Sequence, residues 1–272
     1  MLIMAAIQMV SGADVTENLA SAAGLLAQAA DRGVQLAVLP ENFALMGRSE
    51  RDKLALQEAE GQGQLQDFLA EQAARHRLWL IGGTIPLRTA HDKHRIRASC
   101  LVFNDQGQRV ARYDKVHLFD VQMINSKECY AESATIEAGR HYVVTDTPWG
   151  RLGLAVCYDL RFPEQFRAMV HQGMEIVALP AAFTAATGAA HWEPLLRARA
   201  IENQCYVIAA AQGGRHVNGR ETFGNSLLVD PWGLILDRWT WGQGIALAKL
   251  DRAFLEGTRQ QFPVLKHCVQ CD

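Results

Sequence analysis

A chain of 272 residues, 49% hydrophobic and 21% charged, is long enough to bury a substantial core and lies far from the composition of a disordered segment. Its formal net charge of −2 gives no broad positive field, which argues against nucleic acid or an anionic membrane as partner and for a small molecule. Six cysteines, several of them inside apolar runs, read as reduced thiols rather than a disulfide framework, so a cytoplasmic protein is expected.

Residues 2–9 are apolar but contain Gln8 and lack a basic flank, so they read as a first strand and not as a secretion signal. Further strand-length runs follow at 35–39, 79–85, 99–103, 152–157, 176–179, 205–211, 226–229 and 245–250. Many are apolar at nearly every position, as suits strands covered on both faces. Helical segments are expected at 16–31, 62–76, 163–171 and 191–203, with Gly33 and Gly173 placed to end two of them and Pro163 placed to open one. None of these runs reaches the roughly 20 apolar residues that cross a bilayer.

Alternating strands and helices predict an α/β protein with helices packed outside its sheets. The turn Asp230-Pro231-Trp232-Gly233 between apolar runs adds some antiparallel pairing. Residues 33–40 and 173–180 echo each other, each a helix end, a glycine, a strand and Leu-Pro. That echo fits two similar halves packed sheet against sheet, and equally fits the ordinary grammar of any α/β chain. No linker marks a boundary, so residues 1–272 are expected to form a single domain, with an arm from about Ala253 where the chain turns polar.

Three segments carry chemistry. In Val156-Cys157-Tyr158-Asp159-Leu160-Arg161-Phe162-Pro163 a buried strand ends at a cysteine and a helix opens within a few residues. Such a turn exposes its apex side chain, and the nearby helix start favours a thiolate. The segment alone fits a buried structural cysteine as well. In Leu39-Pro40-Glu41 a carboxylate stands at a strand end, where apolar neighbours are expected to raise its pKa toward that of a general base, unless it is simply a solvated loop residue. In Tyr113-Asp114-Lys115-Val116-His117-Leu118 a lysine closes a strand-like segment and is placed to meet a developing oxyanion, or else to solvate a surface. His117 reads as structural, since a Cys–His pair would leave Glu41 and Lys115 without a role.

Taken together the three segments resemble the nitrilase superfamily of carbon–nitrogen hydrolases, in family order and over nearly the whole chain. The resemblance implies a four-layer α-β-β-α sandwich, a Glu41–Lys115–Cys157 triad and no cofactor. It also implies a second glutamate after the lysine. Ala131-Glu132-Ser133 fits that pattern, so Glu132 is preferred over Glu128, although residues 123–130 depart from the family's usual Pro-Gly loop. By the same resemblance the backbone N–H of Tyr158 joins Lys115 in holding the oxyanion.

Within the superfamily, residues 180–207 resemble the branch of ω-amidases and deaminated glutathione amidases, and Ala209-Ala210-Ala211-Gln212-Gly213-Gly214-Arg215-His216 tilts toward the latter. The implied substrate is deaminated glutathione, with 2-oxoglutaramate or a nitrile as alternatives and a catalytically silent interaction protein as the non-enzyme alternative. A carboxylate-bearing substrate calls for a guanidinium. Arg161 is the first candidate, unless Glu164 holds it; Arg215 and Arg220 come second. Phe183, Thr184 and Thr187 follow a strand end and are candidates for lining the pocket. Cys268 and Cys271 form a Cys-x-x-Cys without a second pair, so no metal site is expected. The family likeness implies a homodimer or larger homo-oligomer.

Overall fold

In the computed structural model, which describes residues 2–90, 92, 94–122 and 129–269, the apolar runs become two stacked sheets. The first has seven strands in the order Gly244–Leu250, Leu2–Gln8, Leu36–Val38, Trp79–Ile81, Ile96–Phe103, Ile85–Arg88, with Arg109–Asp114 also paired to Ile96–Phe103. The second has six, in the order Ile235–Trp239, Ser226–Val229, Tyr206–Ala211, Ile176–Ala181, Gly150–Leu154, Val143–Thr147. Each sheet has three parallel strands at its centre, flanked by antiparallel ones. The two echoing segments supply the middle strand of each parallel trio, Leu36–Val38 and Ile176–Ala181.

Strand alternation explains the layering. Met4, Ala6, Leu36 and Val38 point into one core with Ile176, Ala178 and Ile208 of the other sheet. Ala5, Ile7 and Ala37 point the opposite way, onto Leu19, Leu26, Leu69 and Ala73 of the helices Val15–Asp31 and Gln64–His76. Phe166 of Pro163–His171 and Trp192 and Leu196 of Ala185–Asn203 cover the outer face of the second sheet. The result is the four-layer α-β-β-α sandwich, with the central strands buried on both faces over most of their length.

Several boundaries differ from the sequence reading. The run 79–85 is two strands, because Gly83 sits at φ +57 and a Cβ there would lie 2.1 Å from the Pro40 carbonyl oxygen. The last long helix begins at Ala185 rather than at 191, capped by Thr184, and carries Pro194 inside it. The strand before Cys157 stops at Leu154. Residues expected to form an arm instead open with the helix Arg252–Gln261, capped by Asp251. It is docked by buried Leu255 and by Arg259, which donates to the Gln204 (3.0 Å) and Met174 (2.8 Å) carbonyls. No helix among the described residues is long and apolar enough to cross a membrane.

Candidate active site

Three strand ends meet at one edge of the sandwich. Leu36–Val38 runs out through Leu39 and Pro40 to Glu41, whose position is fixed on both sides. Asn42 takes a left-handed φ of 57 and donates its backbone N–H to Thr84 Oγ1 at 2.9 Å, and Gln212 Nε2 donates to the Glu41 carbonyl at 3.1 Å. Arg109–Asp114 delivers Lys115, held by its backbone to the Ala98 carbonyl and the Gly139 N–H. Leu154 leads through Ala155 and Val156 to Cys157, the first residue of the short 3₁₀ turn Cys157–Arg161, with a left-handed φ of 50. A cysteine held in that region is strained, and the surrounding structure must impose it.

One side chain imposes it. Asp159, fully buried, accepts from the Val156 N–H (2.8 Å) and the Tyr113 hydroxyl (2.7 Å) on one oxygen. Its other oxygen takes the His117 N–H (3.0 Å) and lies 2.7 Å from His117 Nδ1. The cysteine turn and the lysine strand are thereby tied through a single carboxylate. His117, stacked on Phe162 at 3.7 Å, is spent on this tie and does not face the thiol as a base. Asp159 was missed in the sequence, although its place two residues after Cys157 was in view.

The side chains converge as the sequence motifs require. Lys115 Nζ donates to Glu41 Oε1 at 2.8 Å and to both oxygens of Glu132 at 2.8 and 2.9 Å. Glu132 also accepts the Phe119 N–H at 2.7 Å. The Cys157 thiol lies beside the Glu41 carboxylate and the backbone of Ala182. Residue exposures of 8% for Cys157, 4% for Glu41 and 2% for Lys115 leave the thiol a narrow opening and the charges almost none. Glu128 lies outside the described residues, so the choice between the two glutamates rests on the bonds Glu132 makes.

Two expectations about charge are corrected. Burial alone would raise the Glu41 pKa, but the Lys115 charge, its hydrogen bond and that of Cys157 outweigh burial, so the carboxyl lies below its ordinary 4.5. Burial pushes the Cys157 thiol up, and the Glu41 charge adds to this against the opposing pull of Lys115. Lys115, in turn, is penalised by burial but held cationic, well above its ordinary value, by Glu132 and Glu41. The resting cluster is therefore carboxylate, ammonium and neutral thiol. With two carboxylates already facing one ammonium, a thiolate would add uncompensated negative charge to a dry site.

Two cavities open on Cys157. One, of about 380 Å³ including its mouth, is lined by Glu41, Glu50, Glu132, Lys53, Lys115, Tyr130 and Arg220 among others. The other, of about 220 Å³, is lined by Phe119, Cys157, Tyr158, Arg161, Ala182, Phe183, Thr184, Thr187 and Arg220. The sequence candidates Tyr158, Arg161, Phe183, Thr184 and Thr187 thus all line a cavity that Cys157 also lines. Arg161 makes no ion pair with Glu164; its Nη1 lies 3.2 Å from His191 Nδ1 and its guanidinium 5.1 Å from the Phe183 ring centre. Arg215 is not at the site: its side chain is 82% exposed and paired with Glu221 at 3.0 Å. Arg220 is. Phe119, Tyr130, Glu50 and Lys53 were missed, lacking any motif to mark them. Among the described residues no group of three or more His, Cys, Asp or Glu is arranged to hold a metal ion. Cys268 is exposed, and Cys271 lies outside the described residues.

Comparison with known proteins follows the same lines. The family profile described as carbon-nitrogen hydrolase matches residues 3–260. A Yersinia enterocolitica protein named deaminated glutathione amidase is 43% identical over 264 residues, covering 97% of this chain and 92% of that one. The Homo sapiens protein of that name is 40% identical over 267 residues, covering 97% and 81%. Saccharomyces cerevisiae Nit3, described as a member of branch 10 of the nitrilase superfamily, superposes with a TM-score of 0.86 at 30% identity, covering 97% and 94%. The Caenorhabditis elegans NitFhit protein superposes with a TM-score of 0.90 at 35% identity, and this chain spans 65% of its length.

Proposed function

This chain belongs to the carbon–nitrogen hydrolase family, and from that premise we propose that it is a thiol amidase that cleaves the 2-oxoglutaramyl amide of deaminated glutathione through a thioester on Cys157. The observation that carries the reading is the convergence of Cys157 with the Lys115–Glu41 pair, bonded at 2.8 Å, at the floor of a narrow cleft. The relatives' shared name supports the choice of amide.

On this reading Glu41, ionised at rest, takes the thiol proton as sulfur attacks the amide carbon. The negative charge then passes from sulfur to the substrate oxygen, where Lys115 and the Tyr158 N–H receive it, so a buried thiolate never has to persist. Removing one such donor typically costs about 3–4 kcal/mol of barrier. Protonated Glu41 hands its proton to the departing amine as the carbon–nitrogen bond breaks, leaving the thioester. Glu41 next takes a proton from water as its oxygen attacks the thioester carbon, and the thiol leaves with that proton. Glu132 keeps Lys115 aimed, its two oxygens 2.8 and 2.9 Å from the ammonium.

The same proposal takes residues 1–272 as one catalytic domain and the working form as a homo-oligomer. Exposed Trp232, Leu234, Phe254 and Phe262 supply an apolar surface for a second copy. A reducing cytoplasm suits a reaction that needs a free thiol. Measuring acid and amine release from deaminated glutathione beside 2-oxoglutaramate and simple nitriles tests the substrate. The highest kcat/KM is expected for deaminated glutathione, and a preference for a nitrile would overturn the reading.

A further inference from the structure

The cavity that holds Cys157 and Glu41 is balanced in charge: three carboxylates, Glu41, Glu50 and Glu132, face three cations, Lys53, Lys115 and Arg220. The two lysines differ in how fully they are engaged. Lys115 meets three carboxylate oxygens, one of Glu41 and both of Glu132, which use all three of its donors. Lys53 Nζ donates to Glu50 Oε2 at 2.8 Å, and its other two donors have no acceptor among the described residues. The Lys53 side chain is 11% exposed and that of Glu50 is 45% exposed, so the lysine belongs to the wall and its counter-ion to the mouth. Lys53 stands on the single-turn helix Asp52–Ala55, where Leu54 packs on Ile96 and Ile136 and the Asp52 carboxylate accepts the Arg48 and Ser49 N–H groups at 2.8 and 3.1 Å. On its far side Lys53 borders another cavity, of about 320 Å³ including its mouth, lined largely by Leu45, Leu56, Ile85, Ile96 and Ala98. Neither Lys115 nor Arg220 lines that cavity. Apolar surroundings of this kind lower the local dielectric and strengthen any pair that Lys53 forms.

Proton transfer gives this cavity its role. Glu41 hands a proton to the departing nitrogen, so the amine half of the substrate must lie on the Glu41 side of the sulfur, in the cavity that Lys53 shares. In deaminated glutathione that half is cysteinylglycine, whose far end is a carboxylate. We propose that Lys53 receives this carboxylate in the place of Glu50, and so selects amides whose leaving amine is an amino acid or short peptide with a free carboxyl group. The assignment rests on the amidase reading above and adds to it the recognition of the departing half. Glu50 is then a resting-state stand-in for the substrate: it offers Lys53 the same charge from three residues away, and its exposed side chain can turn into solvent when the substrate arrives. An amide that releases ammonia leaves the Lys53–Glu50 pair as it is and draws no affinity from it.

The test compares kcat/KM for three amides: deaminated glutathione, the same molecule with its glycine carboxyl converted to a primary amide, and 2-oxoglutaramate, which releases ammonia. The wild-type protein should prefer the acid to its glycinamide form by about tenfold. Lys53→Met keeps the apolar stem and removes the charge. It should abolish that preference by raising KM for the acid at similar kcat, while kcat/KM for the other two amides changes by less than about twofold. Lys53→Arg should retain most of the preference, and Glu50→Gln, which removes the competing carboxylate, should lower KM for the acid. Equal use of the acid and its glycinamide form by the wild type, a parallel fall for all three amides in Lys53→Met, or a raised KM in Glu50→Gln would overturn the assignment. The two readings fail differently. Hydrolysis of all three amides without discrimination leaves the amidase standing and takes the role from Lys53; hydrolysis of none removes the amidase reading and this assignment with it.

Discussion

Replacing Asp159 by asparagine removes the tie between the cysteine turn and the lysine strand while changing only one oxygen to nitrogen. The carboxylate accepts from four donors: the Tyr113 hydroxyl, the Val156 N–H, the His117 N–H and His117 Nδ1. An amide oxygen can serve one pair of them, and the NH₂ group then confronts the other. The Tyr113 hydroxyl cannot turn to accept, because its oxygen already receives the Val116 N–H and Gln165 Nε2. The Val156 N–H cannot turn either. With about 1–3 kcal/mol for each of these two buried donors left unpaired, the loss comes to about 2–6 kcal/mol. Freed from its anchor, the turn should let Cys157 relax from φ 50, and a displacement of about 1 Å at the nucleophile lowers kcat by roughly 10²-fold. Urea unfolding measures the first effect and steady-state kinetics on the folded variant the second, with KM little changed. A stability loss below about 1 kcal/mol, or an unaltered kcat in the folded protein, would refute the role assigned to Asp159.

Glu41 sets two pH dependences. Because its folded pKa lies below 4.5, the unfolded chain binds more protons in acid; the stability it contributes is complete above about pH 4.5 and is lost as pH falls further through the folded value. The kcat/KM profile should accordingly stay level from about pH 8 to about pH 5, and an acid limb near pH 6 or above would contradict the assignment. Alkylation of Cys157 should still be accelerating as pH passes the ordinary thiol value of 9.0, whereas a plateau by pH ~7 would mean a resting thiolate. Gly83→Ala should cost about 2 kcal/mol or more and depress activity, because its Cβ would meet the Pro40 carbonyl at 2.1 Å and displace Glu41. Gly61→Ala, also at positive φ but with no atom within 4 Å, should cost only about 1 kcal/mol; equal losses in the two would show that the contact is unimportant.

Glu41 and Cys157 were legible because each closes a short apolar segment whose strand character is local, and Lys115 because it closes a strand-like segment of mixed polarity. Their charge states were not. The sign at Glu41 is decided by an ammonium 74 positions away in the chain, at 2.8 Å in space, which no reading of Leu39-Pro40-Glu41 contains. Arg220 ranked low for a similar reason: it sits in a polar loop without a motif, and only the fold brings it to Tyr130 and Ala182. The start of the last long helix was missed since Ala185-Ala186-Thr187-Gly188-Ala189-Ala190 offers no amphipathic stripe, and the break at Gly82-Gly83 was missed because apolar neighbours masked it. Arg252–Gln261 looked like an arm because it buries little beyond Leu255 and Thr258 and is docked instead by hydrogen bonds from Arg259.

The proposed acyl transfer passes through the sulfur of Cys157, and acid-quenched mass spectrometry during turnover tests it most directly. The 2-oxoglutaryl group should appear as an added mass on the peptide holding Cys157, and Cys157→Ala should show neither the adduct nor turnover. Sustained hydrolysis by that variant, or an acyl group trapped on another residue, would contradict it.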